Sequence, residues 1–175
     1  MCKWKRRTWL RHIAISLAVL MVFYQALAQA REERFLPYAH PRFTVNLPAG
    51  WKVSELPDFP EELWSLISED AIAPVFLGLA KSMRPVPPVL EVRGPRGEVI
   101  CVAAVDVPEG LRPLVPPGDL GEVKTKPGAL KGKTGEAFGF SSPGVVGGLG
   151  LLAPPEAFAG ASKVYEAMKV SFRLK

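Results

Sequence analysis

Cysteine and histidine are nearly absent from this sequence: Cys2, Cys101, His12 and His40 are the whole supply in 175 residues. Cys2 and His12 fall in the first thirty positions, so the remainder holds one of each. A single cysteine cannot close an intrachain disulfide, and one cysteine with one histidine cannot complete a zinc site of those ligands. Acidic residues are missing from the start of the chain altogether. All 17 follow Ala30, as do 17 of the 22 Lys and Arg, so the excess of +5 belongs to the leading segment. Past Ala30 the formal charge balances, and no global positive field is left to draw nucleic acid or anionic lipid; neither is expected as a partner. Proline and glycine are also lacking at the start. All 18 prolines and 16 glycines come later, clustered between apolar runs, which reads as one compact domain with stiff loops rather than low-complexity chain.

What the first thirty residues do contain is Lys3, Lys5, Arg6, Arg7 and Arg11, then an apolar run from Ile13 to Leu27 broken only by Ser16 and Gln25. That is the layout of a secretory signal, and the small residues Ala26, Ala28 and Ala30 place cleavage after Ala28 or Ala30. Fifteen apolar residues as a helix reach roughly 22 Å, short of a bilayer core of about 30 Å, which favours a cleaved signal over an anchor. If cleavage fails, the basic flank stays inside and the domain still ends outside. Arg6-Arg7-Thr8-Trp9-Leu10 also matches a twin-arginine signature, so the export route is open between the two. Cys2 precedes the apolar run and is not placed as a lipoprotein cysteine. The expectation is an exported protein, periplasmic or extracellular, touching the membrane only through residues 1–30, with one domain over 31–175.

Along that domain, Phe43, Val45 and Leu47 alternate with Arg42, Thr44 and Asn46 as a half-buried strand does. Pro48-Ala49-Gly50 turns the chain into a short strand at 51–54. Asp58 with Pro60 and Glu61 starts a helix to about Asp70, with Phe59, Leu63, Leu66 and Ile67 as its stripe. A strand is expected at 75–79. Strands at 89–93 and 98–107 flank Gly94-Pro95-Arg96-Gly97, and the second is apolar on both faces, as a central strand covered on both sides would be. The segment 108–133 is expected to be a Pro/Gly-rich loop with one short strand at 122–125. Strands at 134–141 and 145–152 pair across Ser142-Pro143-Gly144. A C-terminal helix runs from Pro154 to about Ser171, burying Ala157, Ala161, Val164, Met168 and Phe172. The fold class expected is α+β: a mainly antiparallel sheet with helices packed on both faces.

Three of these pieces together resemble the PsbP-like superfamily, named for an extrinsic photosystem subunit. They are the opening Tyr38 to Trp51 with its Leu47-Pro48-Ala49-Gly50-Trp51 turn, the central hairpin, and the ending in a helix that closes on Val170-Ser171-Phe172-Arg173. The resemblance implies an antiparallel sheet with helices on both faces and the role of an exported accessory protein. It carries over no catalytic, cofactor or metal residue. The 108–133 segment is longer than the family pattern.

Gly128-Ala129-Leu130-Lys131-Gly132-Lys133-Thr134 has a superficial likeness to a phosphate-binding loop. It lacks the four-residue spacing between glycines, and Gly135 continues a strand-like stretch where a helix should begin, so no nucleotide is expected. His40, between Ala39 and Pro41, is the one imidazole a hydrolase could use, and Ser141 and Ser142 lack the glycines of a nucleophile elbow. Paired acids occur at Glu32-Glu33, Glu61-Glu62 and Glu69-Asp70, the last two at the expected helix ends. Cys101, inside Val99 to Val105, reads as a small hydrophobe in a central strand. Pro85 to Pro88 and Pro113 to Pro117 are stiff segments suited to recognition or to bracing loops. No catalytic, cofactor or metal residue is assigned. The function expected is a non-enzymatic accessory or binding protein that docks on an envelope or membrane-associated complex through exposed loops and a sheet edge. The alternative is a small exported hydrolase or ligand-binding protein with a pocket between sheet and helices, near His40, Glu61 and Glu62.

Overall fold

The structure, a computed structural model, describes residues 34–60, 84–125 and 131–175. The chain divides into two compact units: Met1–Phe35 with Pro48–Gly50, and Leu36–Leu47 with Trp51–Lys175. The signal segment, the acids Glu32, Glu33, Glu61, Glu62, Glu69 and Asp70, the helix expected after Pro60 and the strand expected at 75–79 lie outside the described residues.

Nine strands are described: β1 (Phe35–Ala39), β2 (Phe43–Pro48), β3 (Lys52–Leu56), β4 (Val89–Arg93), β5 (Val99–Asp106), β6 (Gly118–Lys124), β7 (Thr134–Ser142), β8 (Val145–Ala153) and β9 (Arg173–Leu174). They are joined by a 3₁₀ turn at Glu109–Leu114 and one α-helix, α1 (Pro155–Ser171). The strands form a three-stranded sheet, β1-β2-β9, and a six-stranded sheet, β3-β4-β5-β8-β7-β6. β2 and β9 pair antiparallel, as do all neighbours in the six-stranded sheet, and the longest hairpin, β7–β8, turns at Pro143-Gly144, where Pro fixes one dihedral and Gly144 takes φ 80°.

The register sorts the large sheet into two faces. Ile100 stands opposite Leu151 and Val102 opposite Leu149, while Val99 stands opposite Leu152 and so shares the other face with Cys101. Helix α1 covers the first face. Ala157, Ala161, Tyr165 and Met168 are buried along it at helical spacing, and Ser162 Oγ donates to Glu136 Oε1 on β7 at 2.8 Å. The stripe differs from the sequence expectation by one position, since Tyr165 is buried where Val164 was expected. Tyr165 continues the four-residue step from Ala157 and Ala161 before the stripe shortens by one to Met168, and the larger ring takes the deeper place. Phe172 and Leu174 continue this layer: a β-carbon on Gly147 would meet Leu174 Cδ2 at 2.7 Å and Phe172 Cζ at 3.0 Å. Only a bare backbone at that point of β8 lets the end of the chain sit down.

The expected architecture of helices on both faces is therefore corrected. Among the described residues the chain is mainly strand, in two antiparallel sheets, with a single α-helix on one face. A two-sided apolar strand such as β5 requires cover on both sides, but the cover need not be helical. On one face α1 shares the layer with the small sheet, where the Phe43 and Phe172 rings lie 5.5 Å apart. On the other, Phe59 packs against Val99, Cys101 and Leu152 from a segment with no regular structure at that residue. The expected loop at 108–133 is corrected too: β6 begins at Gly118, four residues before the strand foreseen there.

Candidate functional site

The Pro113 to Pro117 segment reaches one end of the large sheet and is fixed there from below. Ser141, 1% exposed, donates its hydroxyl to the carbonyls of Pro116 and Gly118. Arg112 Nε donates to the Val107 carbonyl at 3.3 Å, and the Val115 N–H returns to the Arg112 carbonyl. Prolines at 113, 116 and 117 restrict the dihedrals between these ties. Held in this way, the segment presents Leu114, 69% exposed, to solvent. The edge strand β6 follows directly and adds Leu120, 46% exposed, opposite the β7 region that carries the part-exposed Phe140. An exposed large side chain on a braced backbone is the usual feature of a contact surface, because little conformational entropy remains to be lost on binding.

β6 is poorly suited to pairing with another strand. Its register slips between Asp119 and Gly121, where the Asp119 carboxylate accepts the Gly121 N–H at 2.6 Å. A bulge of this kind twists an edge away from a flat template. What this edge offers to solvent is therefore its side chains rather than a flat backbone template.

The other sequence candidates are dispersed. Cys101 is 2% exposed inside β5, as expected of a small hydrophobe. Ser141 is structural, for the reasons just given, and Ser142 pairs with Val145 at the hairpin end. Lys131 and Gly132 take positive φ and Thr134 opens β7, so a strand rather than a helix N-terminus follows the glycine-rich segment, whose Gly128 to Leu130 lie outside the described residues. Pro85 bridges to Val105, and the Val86 N–H donates to the Ala104 carbonyl, tying the Pro85 to Pro88 segment to the central strand. Among the described residues no three His, Cys, Asp or Glu side chains group so as to hold a metal ion.

His40 is not in an open loop. It is 1% exposed, stacked on Phe43 with ring centroids 4.2 Å apart, and its Nδ1 accepts the Arg42 N–H at 3.0 Å. Nε2 is buried with no partner in hydrogen-bond geometry. Burial lowers the imidazole pKa below its ordinary value; the backbone of Pro87 and Val86 lies near enough to oppose this without bonding, Lys175 adds to it, and Glu55 opposes it. A general base needs an open lone pair beside substrate, which this ring does not offer. Tyr165 is another strongly perturbed group: burial raises its phenol, with Glu136 and Glu166 acting in the same direction. Sequence reasoning missed both environments, since neither the stack on Phe43 nor the fit of Tyr165 over β8 has a local pattern.

No family model matches the chain, and no curated protein matches it significantly. Among solved structures, it is similar to the solution structure of cyanobacterial PsbP from Synechocystis, at a TM-score of 0.41 and 9% identity, covering 81% of this chain and 92% of that one. The resemblance seen in the sequence thus has a weak structural counterpart, and a likeness this distant carries over neither a residue nor a role.

Proposed function

We propose that the chain is an exported, non-enzymatic accessory protein that docks on a membrane-associated protein complex through the braced edge formed by Pro113 to Pro117 and β6. The observation that carries this reading is Leu114, exposed on a segment whose backbone is fixed by Ser141, Arg112 and three prolines. The basic, apolar leader supports export, because cleavage or anchoring both leave the domain beyond the membrane. The balanced charge past Ala30 favours a protein surface over lipid or nucleic acid.

Site-specific crosslinking tests it. A photoreactive residue at 114 or 120 of the full chain, irradiated with envelope membranes, is expected to give a discrete protein adduct. The same residue at the solvent-facing Lys163 of α1 serves as control. Equal adducts at all three positions, or adducts to lipid vesicles alone, would overturn the proposal.

A further inference from the structure

The corner around His40 is assembled from separate stretches of chain. The ring stacks on Phe43 of β2, and its backbone carbonyl accepts the Lys175 ammonium at 2.8 Å. The Lys175 N–H donates to the Arg42 carbonyl at 3.0 Å, and β9 pairs with β2 through Phe43 opposite Leu174. Phe172, just before β9, packs on Phe43 with ring centroids 5.5 Å apart. The backbone of Val86 and Pro87 faces the ring from the segment before β4. One imidazole therefore sits where the turn before β2, the C-terminal residues and the Val86–Pro87 stretch meet.

The hydrogen bond at Nδ1 makes this arrangement conditional on protonation. An Nδ1 that accepts a backbone N–H must keep its lone pair, so the neutral ring carries its hydrogen on Nε2. In imidazolium both nitrogens are donors. A proton on Nδ1 would point at the Arg42 N–H, and the two donors cannot coexist at 3.0 Å. The charged ring would also be buried, with the Lys175 ammonium bound to the same residue's carbonyl. Among the described residues the other charged or titratable groups at this corner are Arg42, paired with Asp106 of β5 at 2.8 Å, and Glu55 of β3, which accepts the Tyr38 hydroxyl at 2.7 Å. Both carboxylates are already engaged, and neither bonds the imidazole.

We propose that His40 is an acid-sensitive latch: neutral, it holds the turn before β2 in the form to which the C-terminal residues dock; protonated, it releases Arg173 to Lys175 from that turn while the six-stranded sheet stays folded. The direction follows from linkage. Below the ordinary imidazole value of 6.5 an unfolded or released corner takes up a proton that the closed corner excludes. The latch is thus fully closed above that pH, and its stability is lost as pH falls through the lowered value of the closed form.

The test is hydrogen exchange by NMR on the full chain at about pH 7.5 and about pH 5, with protection factors corrected for the intrinsic exchange rate. The Arg42 and Lys175 amides are expected to lose protection at the lower pH, the direction that a depressed imidazole pKa dictates. Val102 and Leu149 amides, in the large sheet, should hold theirs. His40→Asn keeps an acceptor near Nδ1 that cannot titrate, and it should abolish the pH dependence at Arg42 and Lys175. The chain has only one other histidine, His12, so His12→Ala assigns the His40 ring signal even if the Asn variant fails to fold. A His40 ring that titrates at or above its ordinary value, or a pH response unchanged in His40→Asn, would overturn the proposal.

Discussion

A β-carbon added to Gly148 would collide with the backbone carbonyl oxygen of Phe138 on the neighbouring strand. Backbone cannot swing aside as a side chain can, so Gly148→Ala must open the β7–β8 ladder, at a cost of about 3 kcal/mol. On Gly160, in the middle of α1, the same β-carbon would meet only the Arg96 guanidinium, at 2.7 Å. That side chain is 61% exposed and can lift its terminal nitrogen while Nε keeps its 3.0 Å bond to the buried Glu98. Replacing a mid-helix glycine by alanine then gains about 0.5–1 kcal/mol. One substitution type is expected to lower the thermal midpoint at 148 and raise it at 160, and a melt of the two variants beside the parent decides it. At this scale Cys101 was readable, since apolar neighbours on both sides leave one interpretation. His40 was not: a histidine between Ala39 and Pro41 carries no local sign of the Phe43 ring beside it or of Lys175, 135 positions away.

Among the elements, β2, the β4–β5 hairpin, the β7–β8 hairpin and α1 were legible because each has a period and a turn chemistry that agree. β9 was not, because two residues cannot show alternation; it exists only because β2 offers an edge where α1 ends. β6 was misjudged for a related reason. Gly118 and Gly121 look like loop residues, yet here they sit at a bulge that β7 holds in register through Asp119 and Phe140. The Ser141 hydroxyl is what joins this edge to the Pro113 to Pro117 segment, and Ser141→Ala removes it without touching the apolar core. The expected cost is about 1 kcal/mol. Exchange protection at the Val115 and Leu120 amides should drop while Leu149 holds. If all three fell together, Ser141 would be a general core contact and the edge would not be separately braced.

For the molecule as a whole, the same division of charge that argues for export also makes export measurable. The full chain has an isoelectric point near 9.4, and five of its basic residues with none of its acids lie before Ala30. Removal of the leader is therefore expected to move the isoelectric point to about neutral, a shift of roughly two units, because the remaining acids and bases balance. Isoelectric focusing of protein recovered from outside the cytoplasm reads this directly. Mass spectrometry of the same band should place the new N-terminus at Gln29 or Arg31. An anchored chain would keep both Met1 and the high isoelectric point but partition with membranes, whereas a basic full-length chain in the soluble cytosolic fraction would remove the ground for docking beyond the membrane. The described fold cannot make that distinction by itself: a glycine-lined sheet under a helix, with an apolar edge and a buried imidazole, is stable on either side of a bilayer, and the proposal of export rests on the leader sequence.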